Sequence, residues 1–192
     1  MMVVNTRKSQ FGKYLVNCNN LSELGFKEWV FSPGMLFNNQ EKWWVKGGKR
    51  TTMHEGIDVC HYRNQDNRIC HLDKNTVVPV IYSGYVVQVN SDFLGTSAYL
   101  QHNIHNRDGR VLYSVYAHTK LYADIVVGRF VEEGSAIATI ADRGCSKVSI
   151  SEHLHLTLMW LPEGFPTEKL NWQTICDRSE VDLFDPNEFV VW

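Results

Sequence analysis

No apolar run in this sequence approaches the ~20 residues that cross a bilayer, so no membrane span is expected. Basic excess is missing too. Nineteen Lys and Arg stand against 21 Asp and Glu, for a formal net charge of −2. The nearest basic cluster, Lys46-Gly47-Gly48-Lys49-Arg50, reads as a solvated turn, and nucleic acid is not expected as a partner. Cysteine is scarce. Cys18, Cys60, Cys70, Cys145 and Cys176 are too few for a disulfide scaffold, and their odd number leaves at least one thiol unpaired. Cys60-His61 and Cys70-His71 repeat a Cys-His pair around a polar loop, for which ordinary thiols, a Cys60–Cys70 disulfide and a second metal site are the alternatives. The N-terminus, Met1 to Lys8, lacks the ~7–15 apolar residues of a secretory signal. Either the protein acts in the cytoplasm or its export signal lies outside this sequence.

What is present is a chain of 192 residues, 44% hydrophobic and 12% aromatic, enough for one well-buried core and expected to be a monomer. From about residue 77 to 160, period-2 alternation and β-branched residues dominate, with no long amphipathic helix. Thr76 to Val80, Gly84 to Asn90, Ala98 to Ile104, Val111 to His118 and His153 to Trp160 read as strands, with Asn106 to Arg110 as a hairpin turn around Asp108-Gly109. Gly128, Gly134 and Gly144 punctuate further short strands and turns. The expectation is an all-β fold, a twisted antiparallel sheet or sandwich with few short helices. Leu21 to Phe26 suggests a short helix closed by Gly25, Ser32-Pro33-Gly34 a turn, and residues 60 to 75 a polar loop insertion. The tail from Leu161 to Trp192, with prolines at 162, 166 and 186, is expected to wrap the sheet irregularly.

Three histidine-bearing segments stand out: His54-Glu55-Gly56-Ile57-Asp58, Tyr116-Ala117-His118 and His153-Leu154-His155. Two histidines and a carboxylate make a three-ligand set that leaves a fourth zinc position open, as catalytic zinc requires, and two further histidines remain for protons. On a strand, His153, His155 and Thr157 share one face, while Leu154, Leu156 and Leu158 form a core face. Tyr116 and His118 likewise share a face. His54 and Asp58 are too far apart on a straight strand to share an ion, and Gly56 is expected to permit a bend that joins them, leaving Glu55 as an exposed spacer. His102 and His105, beside the hairpin turn and on opposite faces, read as solvated.

Together these segments resemble the lysostaphin-type zinc metalloendopeptidases, the LytM-domain family that cuts peptide bonds in bacterial peptidoglycan. The family pattern is His-x-Gly-Ile-Asp, then Tyr-x-His, then a Gly-rich run ending in His-Leu-His. Val127 to Ala138 is similar to its Val-x-x-Gly-x-x-Val-x-x-Gly stretch, and Thr76 to Val89 and Val181 to Val190 also match, so the resemblance covers about residues 50 to 190. It implies one zinc ion held by His54, Asp58 and His155, with His118 and His153 as catalytic histidines, in a small β-fold whose loops wall a groove. It also implies a zinc peptidase domain over residues 46–192, an N-terminal segment (1–45) packing on or near it, peptidoglycan peptides as substrate, and residence in the periplasm or cell envelope. Members that have lost ligands regulate cell-wall amidases instead, and a zinc hydrolase of another amide is a further alternative. The chain departs from the family in the Cys60 to Asn75 insertion, in the aromatic-rich Trp29 to Trp44 stretch, and in Arg143 to Glu152, which replaces the usual Gly-rich lead-in to His-Leu-His.

Overall fold

The computed structural model describes residues 7–142 and 150–192. Gly144, Cys145 and most of the atypical lead-in to His153 lie outside them.

Twelve strands and two α-helices occur among the described residues: α1 (Phe11–Cys18), β1 (Phe26–Trp29), β2 (Ile57–Val59), β3 (His61–Asn64), β4 (Ile69–His71), β5 (Val77–Pro79), β6 (Gly84–Ser91), β7 (Thr96–His105), β8 (Val111–Leu121), β9 (Phe130–Val131), β10 (Ala136–Ile140), β11 (Leu154–Leu161), α2 (Trp172–Asp177) and β12 (Asp182–Phe184). The expected β-rich class holds. All pairings between these strands are antiparallel, in a nine-stranded sheet whose main path runs β12-β11-β8-β7-β6-β9. Off that path, β2 pairs with β11, and β10 bridges β5 and β8. The hairpin between β7 and β8 turns at Asn106 to Arg110, with Gly109 at φ +75°.

Alternation along β11 feeds two cores. Leu154, Leu156 and Leu158 enter the larger cluster, which also takes Phe11 and Leu15 of α1. Met159 and Leu161, on the opposite face, join a second cluster with Tyr113 and Val115 of β8 and Ile175 of α2. All eight residues of β11 are therefore buried, and the strand is a fixed platform for what projects from its N-terminal end.

Four local expectations are corrected. The helix lies at Phe11–Cys18, not Leu21 to Phe26, because Phe11 and Leu15, four apart, form a fully buried stripe. Residues 21 to 25 have only Leu21 buried and form tight turns into β1. The presumed loop at 60 to 75 contains the β3–β4 hairpin, which with β1 builds a three-stranded sheet packed through Phe26, Trp29 and Tyr62. The C-terminal tail is more regular than its prolines suggest: β12 pairs with β11, and Trp192 packs edge-on to Phe11 at 5.8 Å. His102 is buried at 1% exposure, taking Ser83 O at 3.0 Å and Ser114 Oγ at 2.7 Å, whereas His105 is exposed as expected.

Candidate active site

The pairing of β2 with β11 sets His155 directly opposite Asp58 and Leu156 opposite Ile57. Gly56 makes this approach possible, though through space rather than backbone freedom. Its φ is not in the left-handed region, but a Cβ there would lie 2.2 Å from Leu156 O and 2.8 Å from Thr157 Oγ1. Just before it, the chain turns so that His54 Nε2 comes within 3.1 Å of Asp58 Oδ1 and 3.1 Å of His155 Nδ1, while His155 Nδ1 lies 2.9 Å from the same Asp58 oxygen. The distant segments thus converge on one point. Among the described residues, His54, Asp58 and His155 form the one group of three that could hold a metal ion.

The other ring nitrogens explain how these atoms are left over. His54 Nδ1 donates to the carbonyl of Leu36 at 3.0 Å; a carbonyl only accepts, so Nε2 keeps its lone pair. His155 Nε2 is occupied by Thr157 Oγ1 at 2.9 Å, which leaves Nδ1 for the centre. Asp58 Oδ2 accepts from Trp43 Nε1 at 2.7 Å and from Arg50 at 3.0 Å, leaving Oδ1. Three electron-rich atoms then face one another at 2.9–3.1 Å. A tetrahedral ion with bonds of about 2.0–2.1 Å separates its donors by about 3.3 Å, so this donor set fits one zinc-sized cation with modest adjustment. Burial opposes charge on Asp58, but the surrounding imidazoles of His54, His153 and His155 outweigh it and hold the carboxyl well below its usual range. Burial lowers His155 as well, which favours its neutral ring.

His153 and His118 complete the ring. His153 Nδ1 donates to Ser151 O at 2.8 Å, and its Nε2 stands 3.8 Å from Asp58 Oδ1. Burial, against the pull of Asp58, pushes it down to about 4. His118 reaches the site by a different route from the one expected. Tyr116 lies opposite Leu156 and enters the larger core, so simple alternation would send His118 there too. Instead β8 carries one extra residue against β7 between its pairs with Ala98 and Thr96, and His118 sits there at φ +62°. The bulge turns its ring to the opposite face, with centroids 4.8 Å from His153 and 5.9 Å from His155. The shared face expected for Tyr116 and His118 is thereby corrected.

The five residues line a cleft of about 330 Å³ together with Trp44, Phe93, Ile150 and Trp172. Glu55 is half-buried rather than an exposed spacer and accepts from Thr52 Oγ1 and the Cys176 thiol. Arg50 is no solvated turn residue, since it stacks on Trp44 at 5.0 Å and pairs with Asp58. Neither Trp43, Arg50 nor Asp92 was legible as a site residue, because each acts through a tertiary contact and carries no spacing signal. Thr157 was legible, two residues from His155 on the same strand face. The Cys-His pairs join no metal group: Cys60 and Cys70 are free thiols, and His61 and His71 stack edge to face at 4.4 Å without a third donor among the described residues.

No protein-family model and no curated protein matches the chain. Among solved structures, it is similar to lysostaphin, with 23% identity and a TM-score of 0.48 over 82% of this chain and 49% of that one. It is also similar to the catalytic domain of the prophage-encoded M23 protein EnpA from Enterococcus faecalis, in a mutant form, with 19% identity and a TM-score of 0.42 over 84% and 95% of the two chains. The match spans about half the length of lysostaphin. No helix among the described residues is long and apolar enough to cross a membrane.

Proposed function

We propose that this chain is a zinc-dependent metalloendopeptidase of the lysostaphin/LytM type that hydrolyses peptide bonds of bacterial peptidoglycan. One observation carries the reading. Four histidines from three segments each commit one ring nitrogen to a protein partner, and the other side of each ring borders the same cleft as Asp58. His54 Nε2, Asp58 Oδ1 and His155 Nδ1 are the zinc ligands in this reading. Bound zinc supplies a Lewis acid and brings the pKa of its water to about 7.

His118 and His153 stand at the rim of that triad and handle the protons. Attack of water on the scissile carbonyl requires a base for the water's proton, then a donor for the leaving amine and a positive partner for the oxyanion. Two adjacent imidazoles meet those needs. Trp44, Phe93 and Trp172 wall the cleft and limit water around the scissile bond. All five chemical positions carry competent side chains, which speaks against a regulatory module that has lost its ligands.

The test combines metal analysis with digestion of purified murein, read by mass analysis of the released peptides. One zinc per chain and chelator-reversible cleavage of a peptide bond are expected. Full metal loading without murein cleavage, but with hydrolysis of another amide, would redirect the reading to a different substrate. A chain that binds no zinc at neutral pH would end it.

A further inference from the structure

The loop between β6 and β7 carries Asp92, a carboxylate with 1% side-chain exposure that no motif marks. Both of its oxygens reach the same histidine. Oδ1 lies 3.0 Å from His118 Nδ1, and Oδ2 accepts the backbone N–H of His118 at 3.0 Å. Oδ1 also closes its own loop by accepting from Leu94 N at 2.9 Å and Gly95 N at 2.7 Å, and Oδ2 accepts from Ser97 Oγ at 2.7 Å. Ser97 Oγ in turn accepts from Trp172 Nε1 at 3.1 Å, and the Trp172 ring stands edge-on to His155 at 5.3 Å. A left-handed backbone is costly for a residue with a side chain, and His118 adopts one at the bulge. The grip on its N–H and ring together compensates for that cost and fixes where the ring points.

We propose that Asp92 is the positioning residue for His118. A carboxylate only accepts, so it fixes the proton on Nδ1, leaves Nε2 as the working atom in the cleft, and stabilises positive charge on the ring while Nε2 holds a proton. The proposal rests on the catalytic role given above to His118. In the reaction, water's oxygen bonds the carbonyl carbon as its proton passes to Nε2. The C–N bond then breaks as the departing nitrogen takes that proton from Nε2, leaving a carboxyl group, a free amine and the neutral ring. Asp92 stays ionised throughout, because burial opposes its charge but the hydrogen bonds and charge of His118 hold its carboxyl far below the usual range. His153 differs in kind, since its Nδ1 partner is the neutral carbonyl of Ser151. The two histidines are therefore not interchangeable, and Asp92 selects His118 as the member of the pair that carries charge.

Two measurements test this. Long-range proton–nitrogen spectra of the metal-free protein, recorded where the His118 ring is neutral, should show its proton on Nδ1 and none on Nε2. In zinc-loaded protein, Asp92→Asn keeps an oxygen for the loop but removes the charge. It should lower kcat by about 100-fold or more while KM and zinc stoichiometry hold. Should Asp92→Asn fail to fold, Ser97→Ala, which leaves the carboxylate intact but removes one of the two hydrogen bonds to Oδ2, should lower kcat by about 10-fold. A neutral His118 ring with its proton on Nε2 and Nδ1 bare in the metal-free wild type, or wild-type kcat in the folded Asp92→Asn protein, would overturn the proposal. Failure of the wild type to cleave murein would instead count against the proposed function, and the spectra would still decide the role of Asp92.

Discussion

His102 and His155 belong to the same nine-stranded sheet and are almost equally hidden, at 1% and 5% exposure, and burial pushes both below the ordinary imidazole range. Their second nitrogens separate them. His102 has a partner for each, Ser83 O and Ser114 Oγ, so nothing is left to bind. His155 gives one nitrogen to Thr157 and turns the other toward His54 and Asp58, where three potential metal donors meet. Burial and depressed basicity are thus common to a core histidine and a site histidine. A second ring nitrogen that converges with other potential metal donors is what separates the candidate site from the core.

The largest expected effect breaks the comparison at the site end. Asp58→Ala removes the carboxylate between the two imidazoles, and zinc content measured by elemental analysis should fall from one per chain to near none, with murein cleavage lost. Next, His118→Ala or His153→Ala should lower turnover by about 10²–10⁴-fold with zinc content intact, and normal turnover by either variant would refute the assigned role.

The core end of the comparison predicts a pH dependence. His102 is pushed down to about 4 by burial, partly offset by hydrogen bonds to Ser83 and Tyr82, against an ordinary value of 6.5. As pH falls, the unfolded chain takes up this proton first, so the stability contribution is complete above pH 6.5 and is lost between 6.5 and 4. Urea unfolding should show wild type losing about 3 kcal/mol more than His102→Gln across that window. Parallel curves for the two proteins would place the shift elsewhere. The smallest effect sharpens the distinction. Thr157→Val removes the partner of His155 Nε2, frees the ring to choose the other tautomer, and should weaken zinc binding by about 10–100-fold in a chelator competition with little change in fold.

The strands of the central sheet were legible because alternation survives wherever one face meets a core, as in Leu154, Leu156 and Leu158. The five residues that meet in the cleft were legible as a candidate set because their types and short-range spacings persist whatever the fold does between them. The expectation failed where a local pattern was overruled from a distance. Nothing near His118 announces the bulge that turns it from the core face. Likewise, no signal in Lys46 to Arg50 tells that Arg50 crosses to Asp58 while its neighbours do not. His102 read as a surface histidine because its partner Ser114 is twelve residues away on the next strand.

Taken alone, then, the amino-acid order determined that this chain makes a β-rich core and carries three histidine-bearing segments, one of them His-x-Gly-x-Asp, whose residue types suit metal chemistry. Tertiary structure decided which nitrogen of each ring is free, which way His118 faces, and that Asp92 holds it. Strand periodicity and residue type are properties of neighbours along the chain. A ring nitrogen's freedom depends on which partner the fold brings to the opposite side of the ring, and for His54 and His118 that partner, Leu36 O or Asp92, comes from a distant segment.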